Sequence, residues 1–169
     1  MTDSPDAGPN KKRNGNMAID KRVRRHVTGR IREYFAITAP GFEALCRKEL
    51  RDLGLDCSGV SVDCGGVAFA GRFVNCLQAN LHLRTATRIL MRIDTFTATN
   101  VRQLERKAGE IPWELFLPAG IRPEIKVRSR RSRLYHTDVV ARGLQNGIAR
   151  RFGGSTDSAF PHIPQTLFA

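Results

Sequence analysis

Between Tyr34 and Thr97 the apolar residues alternate between a period of two and a period near 3.6, and that succession limits the folds open to the chain. YFAIT, residues 34–38, is a short β-rich run. Phe42, Leu45, Cys46, Leu50 and Leu53 then recur on one face of a helix, which Gly54 is placed to end. Val60 and Val62, a Gly65-Gly66 turn, and Val67 and Phe69 read as a β-hairpin. A second helix sets Phe73, Cys76, Leu77, Asn80 and Leu81 on one side. RILMRIDTFT closes the series, with Ile89, Met91 and Ile93 alternating against Leu90, Arg92 and Asp94. The order β-α-β-β-α-β is the split βαβ or ferredoxin-like arrangement.

A second unit is expected after Thr97. Asn100 can cap a helix carrying Val101, Leu104 and Ala108. IPWELFLPAG, with two prolines and a glycine, reads as a packed loop, in which Trp113 is better placed in the core than on a base. Ile121, Ile125 and Val127 suggest a strand. Thr137 is placed to cap a helix whose apolar side is Val140, Leu144, Ile148 and Phe152, ended by Gly153-Gly154. The 169 residues have room for two such small domains. The expected fold class is α+β: a disordered basic tail at 1–33, a ferredoxin-like domain at 34–98 and an α/β domain at 99–169. The tail is rich in Pro, Gly, Asn and charge, with too few apolar residues to offset ordering entropy.

Charge narrows the partners. The chain carries 28 Lys and Arg against 16 Asp and Glu, net +12. Nine basic and four acidic residues fall in 1–33, seven and six in 34–100, and twelve and five in 101–152. Such an excess favours polyanions, because each cation set on a phosphate releases a condensed counterion. No apolar run approaches the roughly 18 residues that span a bilayer, and no secretory segment follows Met1, so a cytoplasmic protein is expected. Cys46, Cys57, Cys64 and Cys76 lack paired ligand spacing, so no metal is expected, and without a secretory segment no disulfide is expected either. Cys46 and Cys76 read as small buried hydrophobes.

The densest basic stretch is Arg122–Arg133, with six Lys or Arg and one acid, Glu124. Lys126, Arg128, Arg130, Arg131 and Arg133 stand near alternate positions, so in extended chain many face one way. Ser132, Tyr135, His136 and Thr137 follow. Tyr135 offers a ring that stacks on an unpaired base, and the next helix offers its N-terminal amides. Arg142, Arg150 and Arg151 continue the charge. This row is the candidate RNA-binding site; a merely solvated basic face is the competing reading. Lys21, Arg22, Arg24 and Arg25 stand between the same two readings. Glu43 and Glu49 read as ordinary surface charges, and Asp63 as a turn residue. There is no catalytic residue set, cofactor loop or metal-ligand spacing in the sequence.

YFAITAPGFEALCRKELRDLGL, GGVAFAG and LRTATRILMRI, in that order, resemble the opening of the THUMP-containing 23S rRNA guanine-N2 methyltransferases, also labelled N6-adenine-specific DNA methylases. SRLYHTDVVARGLQNGI is similar to their THUMP segment, and PQTLFA to the start of the strand after it. The resemblance covers residues 34–169. It implies a ferredoxin-like unit, a THUMP domain that grips RNA, with the basic strand and Ser132, Tyr135, His136 and Thr137 on or near its RNA surface, and a following Rossmann-like domain that uses S-adenosylmethionine. That family's glycine-rich and Asn-Pro-Pro-type motifs do not occur in these residues. The resemblance therefore implies a module that holds structured RNA, 23S rRNA, whose THUMP domain is incomplete and which is inactive alone. A subunit of a two-chain methyltransferase, with a separate catalytic chain as partner, and a basic remnant binding any polyanion are the alternatives.

Overall fold

A computed structural model describes residues 10–55, 57, 65–118, 123–129, 134, 136–153 and 166–169, with side chains in the first helix described from Met17. The chain divides into two compact units, Met1–Ile93 and Asp94–Ala169.

In the first unit, β1 (Arg32–Thr38) is the central strand, paired antiparallel with both β2 (Gly66–Gly71) and β3 (Ala86–Met91) in the order β2-β1-β3. β2 and β3 therefore run parallel on either side of β1, joined through helix α3 (Phe73–His82), which is the split βαβ connection. Helix α2 (Glu43–Asp52) links β1 to the segment before β2. The first arm of the expected hairpin, Val60 and Val62, and Asp63 and Cys64 lie outside the described residues.

Alternation in β1 buries Tyr34, Ala36 and Thr38 on one face. Tyr34 is registered opposite Phe69, and their rings stack with centroids 5.3 Å apart. Such cross-strand pairs contribute about 0.5–1.5 kcal/mol beyond area burial. Cys46, Leu50, Val67, Cys76 and Ala79 complete this core, as read for both cysteines, and burial pushes both thiols up. Gly66 admits no side chain, since a Cβ there would lie 2.4 Å from the Ala36 carbonyl oxygen.

Gly54 ends α2 as expected. It adopts φ +71°, and the amides of Gly54 and Leu55 donate to the carbonyls of Arg51 and Leu50. The expected face of α3 is rotated: Cys76 and Ala79 are buried, whereas Leu77 is 48% and Leu81 80% exposed. Small inner residues let that helix lie close to the sheet, so the larger leucines are carried outward.

Two carboxylates read as plain surface charges are instead clamps. Glu43 accepts the amides of Gly65, at 2.9 Å, and Gly41, at 2.7 Å. The Gly65 amide foremost holds the Glu43 carboxyl below its ordinary range. Glu49 accepts the Thr85 hydroxyl, at 2.7 Å, and the amides of Arg84 and Thr85. Burial pushes the Glu49 carboxyl up, but these donors and the Arg84 guanidinium outweigh it, and the net shift is downward.

In the leader, expected to be disordered, Asn10–Thr28 are helical. Residues Asn10–Val23 form helix α1, and Arg24–Thr28 continue it as a wider turn. Val27 is buried, with Val23 and His26 half-buried on the same side. That spacing, i, i+3, i+4, supplies the anchor that composition hides.

In the second unit, Asn100 caps α4 (Val101–Glu110) as expected, its Oδ1 accepting the Gln103 amide at 2.8 Å. β4 (Glu124–Lys126) and β5 (Thr166–Phe168) pair in parallel and are joined through α5 (Thr137–Arg151). Thr137 is the first residue of α5 rather than its cap; His136 occupies the cap position and makes no side-chain capping bond. Leu104, Ala108, Val140 and Leu144 form the core, with Ile125 and Val127 packed against it. Trp113 is buried, and its Nε1 donates to the Ala108 carbonyl at 2.7 Å. Gly143 and Gly147 of α5 face α4 so closely that a Cβ on Gly147 would lie 2.6 Å from the Ala108 Cβ.

Candidate nucleic-acid interface

The basic row of the second unit is positioned by ordinary strand alternation. Ile125, Val127 and Ser129 are half-buried, and Glu124, Lys126 and Arg128 are exposed between them. Because Ile125 and Val127 pack toward the helices, Lys126 and Arg128 stand on the opposite face of the strand. The backbone beneath them is fixed. Arg128 donates its amide to the Ala169 carbonyl at 2.7 Å, and Ala169 donates to the Lys126 carbonyl at 3.0 Å.

Not all of this charge is available. Lys126 lies 3.5 Å from Glu124, an exposed pair of the kind that contributes about 0–1 kcal/mol and exchanges readily for another anion. The Ser129 hydroxyl donates to the Leu134 carbonyl at 3.2 Å, bringing the flanks of residues 130–133 within one hydrogen bond. Arg130, Arg131, Ser132, Arg133 and Tyr135 lie outside the described residues.

His136 and Thr137 are exposed at the start of α5, and Arg142 is exposed on its flank. Asp138 shares that first turn, so an anion at the helix start would meet a carboxylate there. Of the described candidates, Lys126 and Arg128 are exposed on the strand and just beyond it, His136 at the cap position of α5, and Thr137 and Arg142 within α5. Arg150 is exposed. Arg151 is committed to Glu114 through two bonds, Nε to Oε2 at 3.0 Å and Nη2 to Oε1 at 2.7 Å, so its role is structural. That pair lines an open groove of about 470 Å³ with Gly109, Arg150 and Phe152, and its carboxylate disfavours anions.

Among the described residues no three His, Cys, Asp or Glu side chains are grouped to hold a metal ion, and no helix is long and apolar enough to cross a membrane. Sequence reasoning did not find the anchored face of α1. Its signal was the apolar spacing of Val23, His26 and Val27 beneath Lys21, Arg22, Arg24 and Arg25.

The geometry defines a mixed α/β protein of two small units, the first with ferredoxin-like strand order. Residues 33–90 match the family model described as the RlmL ferredoxin-like domain. Most of the chain is similar to partial stretches of proteins named as RNA methyltransferases. It is 34% identical over 130 residues to the Bacillus subtilis protein named "Putative RNA methyltransferase YpsC", covering 76% of this chain and 33% of that one. It is 32% identical over 120 residues to the ribosomal RNA large subunit methyltransferase K/L of Syntrophotalea carbinolica, covering 71% and 16%. A solved structure of a predicted N6-adenine-specific DNA methylase from Listeria monocytogenes superposes with a TM-score of 0.67 at 27% identity, covering 82% of this chain and 36% of that chain. The chain thus spans a third or less of the length of these curated relatives.

Proposed function

We propose that this chain is the RNA-holding part of an S-adenosylmethionine-dependent rRNA guanine-N2 methyltransferase, its second unit serving as a THUMP-type RNA-binding domain in the cytoplasm. The observation that carries the reading is the outward row of Lys126 and Arg128, on a strand whose other face is committed to the core. Phosphates of a structured RNA, from 23S rRNA on this reading, would lie along that row, with base contacts supplied by the stretch around Tyr135. The methyl donor and the catalytic groups belong to residues other than these.

The experiment is a titration of the chain with a labelled rRNA hairpin and a matched DNA duplex at 50 and 200 mM salt. Several phosphate contacts predict a loss of about a thousandfold between those salts, since each contact adds about 0.9 to the slope of log K against log salt. The variant Lys126→Gln/Arg128→Gln/Arg142→Gln should remove about 2.7 of that slope, roughly a fortyfold change in the salt response. Equal binding of RNA and DNA, lowered alike by these substitutions, would leave only an unselective polyanion binder. The two-chain alternative makes a separate demand: methylation on mixing with a catalytic chain and not without it.

A further inference from the structure

We infer that the outer face of α1 and its continuation, presenting Lys21, Arg22, Arg24 and Arg25, is a second binding site for the phosphate backbone of structured RNA. This rests on the RNA-holding function proposed above and adds a site on the other unit.

The segment Lys21–Thr28 has an inside and an outside. Val27 is 6% exposed, Val23 and His26 are half-buried, and the four cations are all exposed. The inner side is pinned at its end. Arg32, at the start of β1, donates its guanidinium to the His26 carbonyl and, through Nη1, to the Ile93 carbonyl at 3.3 Å. Gly29 closes the segment with its amide on the Arg24 carbonyl at 2.9 Å, and a Cβ at Gly29 would lie 2.7 Å from that oxygen. A solvated leader needs no such fixing. Here the fold fixes the backbone from which the cations project, so part of the ordering entropy that a flexible basic tail loses on binding is already spent.

The charge is of one sign. Residues 17–30 hold five Lys or Arg and one acid, Asp20. None of the ion pairs found among the described residues involves Lys21, Arg24 or Arg25. Four positive charges within five residues match the close phosphate spacing of a nucleic-acid strand, and RNA is the polyanion that the related rRNA methyltransferase is named for. An anionic membrane fits less well. A membrane-lying helix buries a broad apolar face, whereas Val27 and, in part, Val23 are turned into the protein, leaving only Met17 and Ile19 exposed among the described large apolar residues of α1.

The test uses the whole chain and the variant Lys21→Gln/Arg22→Gln/Arg24→Gln/Arg25→Gln. Affinity for the rRNA hairpin is measured from 50 to 200 mM salt, beside the Lys126/Arg128/Arg142 variant and vesicles containing one-third phosphatidylserine. Four lost contacts should lower the salt slope by about 3.6, so that the fall in affinity over this range shrinks roughly 150-fold. The lysine-retaining variant Arg22→Lys/Arg24→Lys/Arg25→Lys should keep the parent slope. Should the fourfold variant melt early, Arg24→Gln and Arg25→Gln singly should each remove about 0.9 of slope. An unchanged slope in a chain that still binds the hairpin overturns the second site and leaves the proposed function standing. Vesicle binding that depends on these cations while hairpin binding does not would also overturn it. Failure of the parent chain to prefer the hairpin sinks the proposed function instead.

Discussion

Replacing Gly147 by Ala tests the contact that positions the basic helix α5. A Cβ at this position would lie 2.6 Å from the Ala108 Cβ, 2.8 Å from the Glu105 carbonyl oxygen and 3.1 Å from the Gly109 amide nitrogen. Carbon atoms in contact prefer about 3.5–4.0 Å, so α4 would have to retreat by about 1 Å. Two of the obstructing atoms belong to backbone, which cannot rotate away. In an isolated helix the same change gains about 0.8–1 kcal/mol, because glycine is the poorer helix former. Overpacking a filled core costs about 1–3 kcal/mol, and retreat of α4 would also loosen Leu104 against Leu144. Because two of the obstructing atoms are backbone, the cost falls in the upper part of that range, about 2–3 kcal/mol, and the net expectation is destabilisation by about 1–2 kcal/mol, or on the order of 5–10 °C in melting temperature for a unit of this size. Gly143→Ala supplies the contrast. Its added carbon would meet the ends of side chains, Leu104 Cδ2 at 3.1 Å and Val101 Cγ1 at 3.3 Å, which can shift by a few tenths of an ångström. That variant should match the parent or exceed it by up to about 1 kcal/mol. Trp113 is the single tryptophan of the chain and is hydrogen-bonded to Ala108, so its fluorescence reports urea unfolding of this unit alone. If Gly147→Ala proves as stable as the parent, α4 and α5 do not meet through this contact, and the placement of Arg142 argued above fails with it.

Three further outcomes follow from the same geometry. Glu49→Ala should destabilise the first unit by about 1–3 kcal/mol, since it leaves the Arg84 and Thr85 amides and the Thr85 hydroxyl without their acceptor; protection of the Thr85 amide in hydrogen exchange reads this directly. Glu43 and Glu49 both titrate below the ordinary carboxylate value in the folded state, so their stabilisation is complete above that value and is lost as pH falls through the folded one. Acid unfolding of the first unit should therefore be shallower in the Glu43→Gln/Glu49→Gln variant than in the parent, and an identical pH profile would refute the clamp. Asn100→Ala should cost about 1 kcal/mol in the second unit by freeing the Gln103 amide, with Trp113 fluorescence again the probe.

Periodicity carried much of the fold to the reader of the sequence, because patterns of two and 3.6 report which side of an element is dry. Tyr34 and Ala36, Cys46 and Leu50, Val140 and Leu144 are buried for that reason. It failed where burial is decided by size rather than by hydrophobicity. Cys76 and Ala79 face the sheet because they are small enough for close approach, and Leu77 and Leu81, which looked like the core, are left in solvent. It failed again at Glu43 and Glu49, since a carboxylate that accepts amides from distant chain cannot be told from a solvated one by its neighbours in sequence. The basic site shows both effects. Alternation placed Lys126 and Arg128 outward, whereas the commitment of Arg151 depends on Glu114, 37 residues earlier. A charge total counts all of these cations alike. Only the contacts separate a cation that holds the protein together, such as Arg151, from those exposed to meet an anion, such as Arg128 on the strand face and Lys21, Arg24 and Arg25 on the helix face.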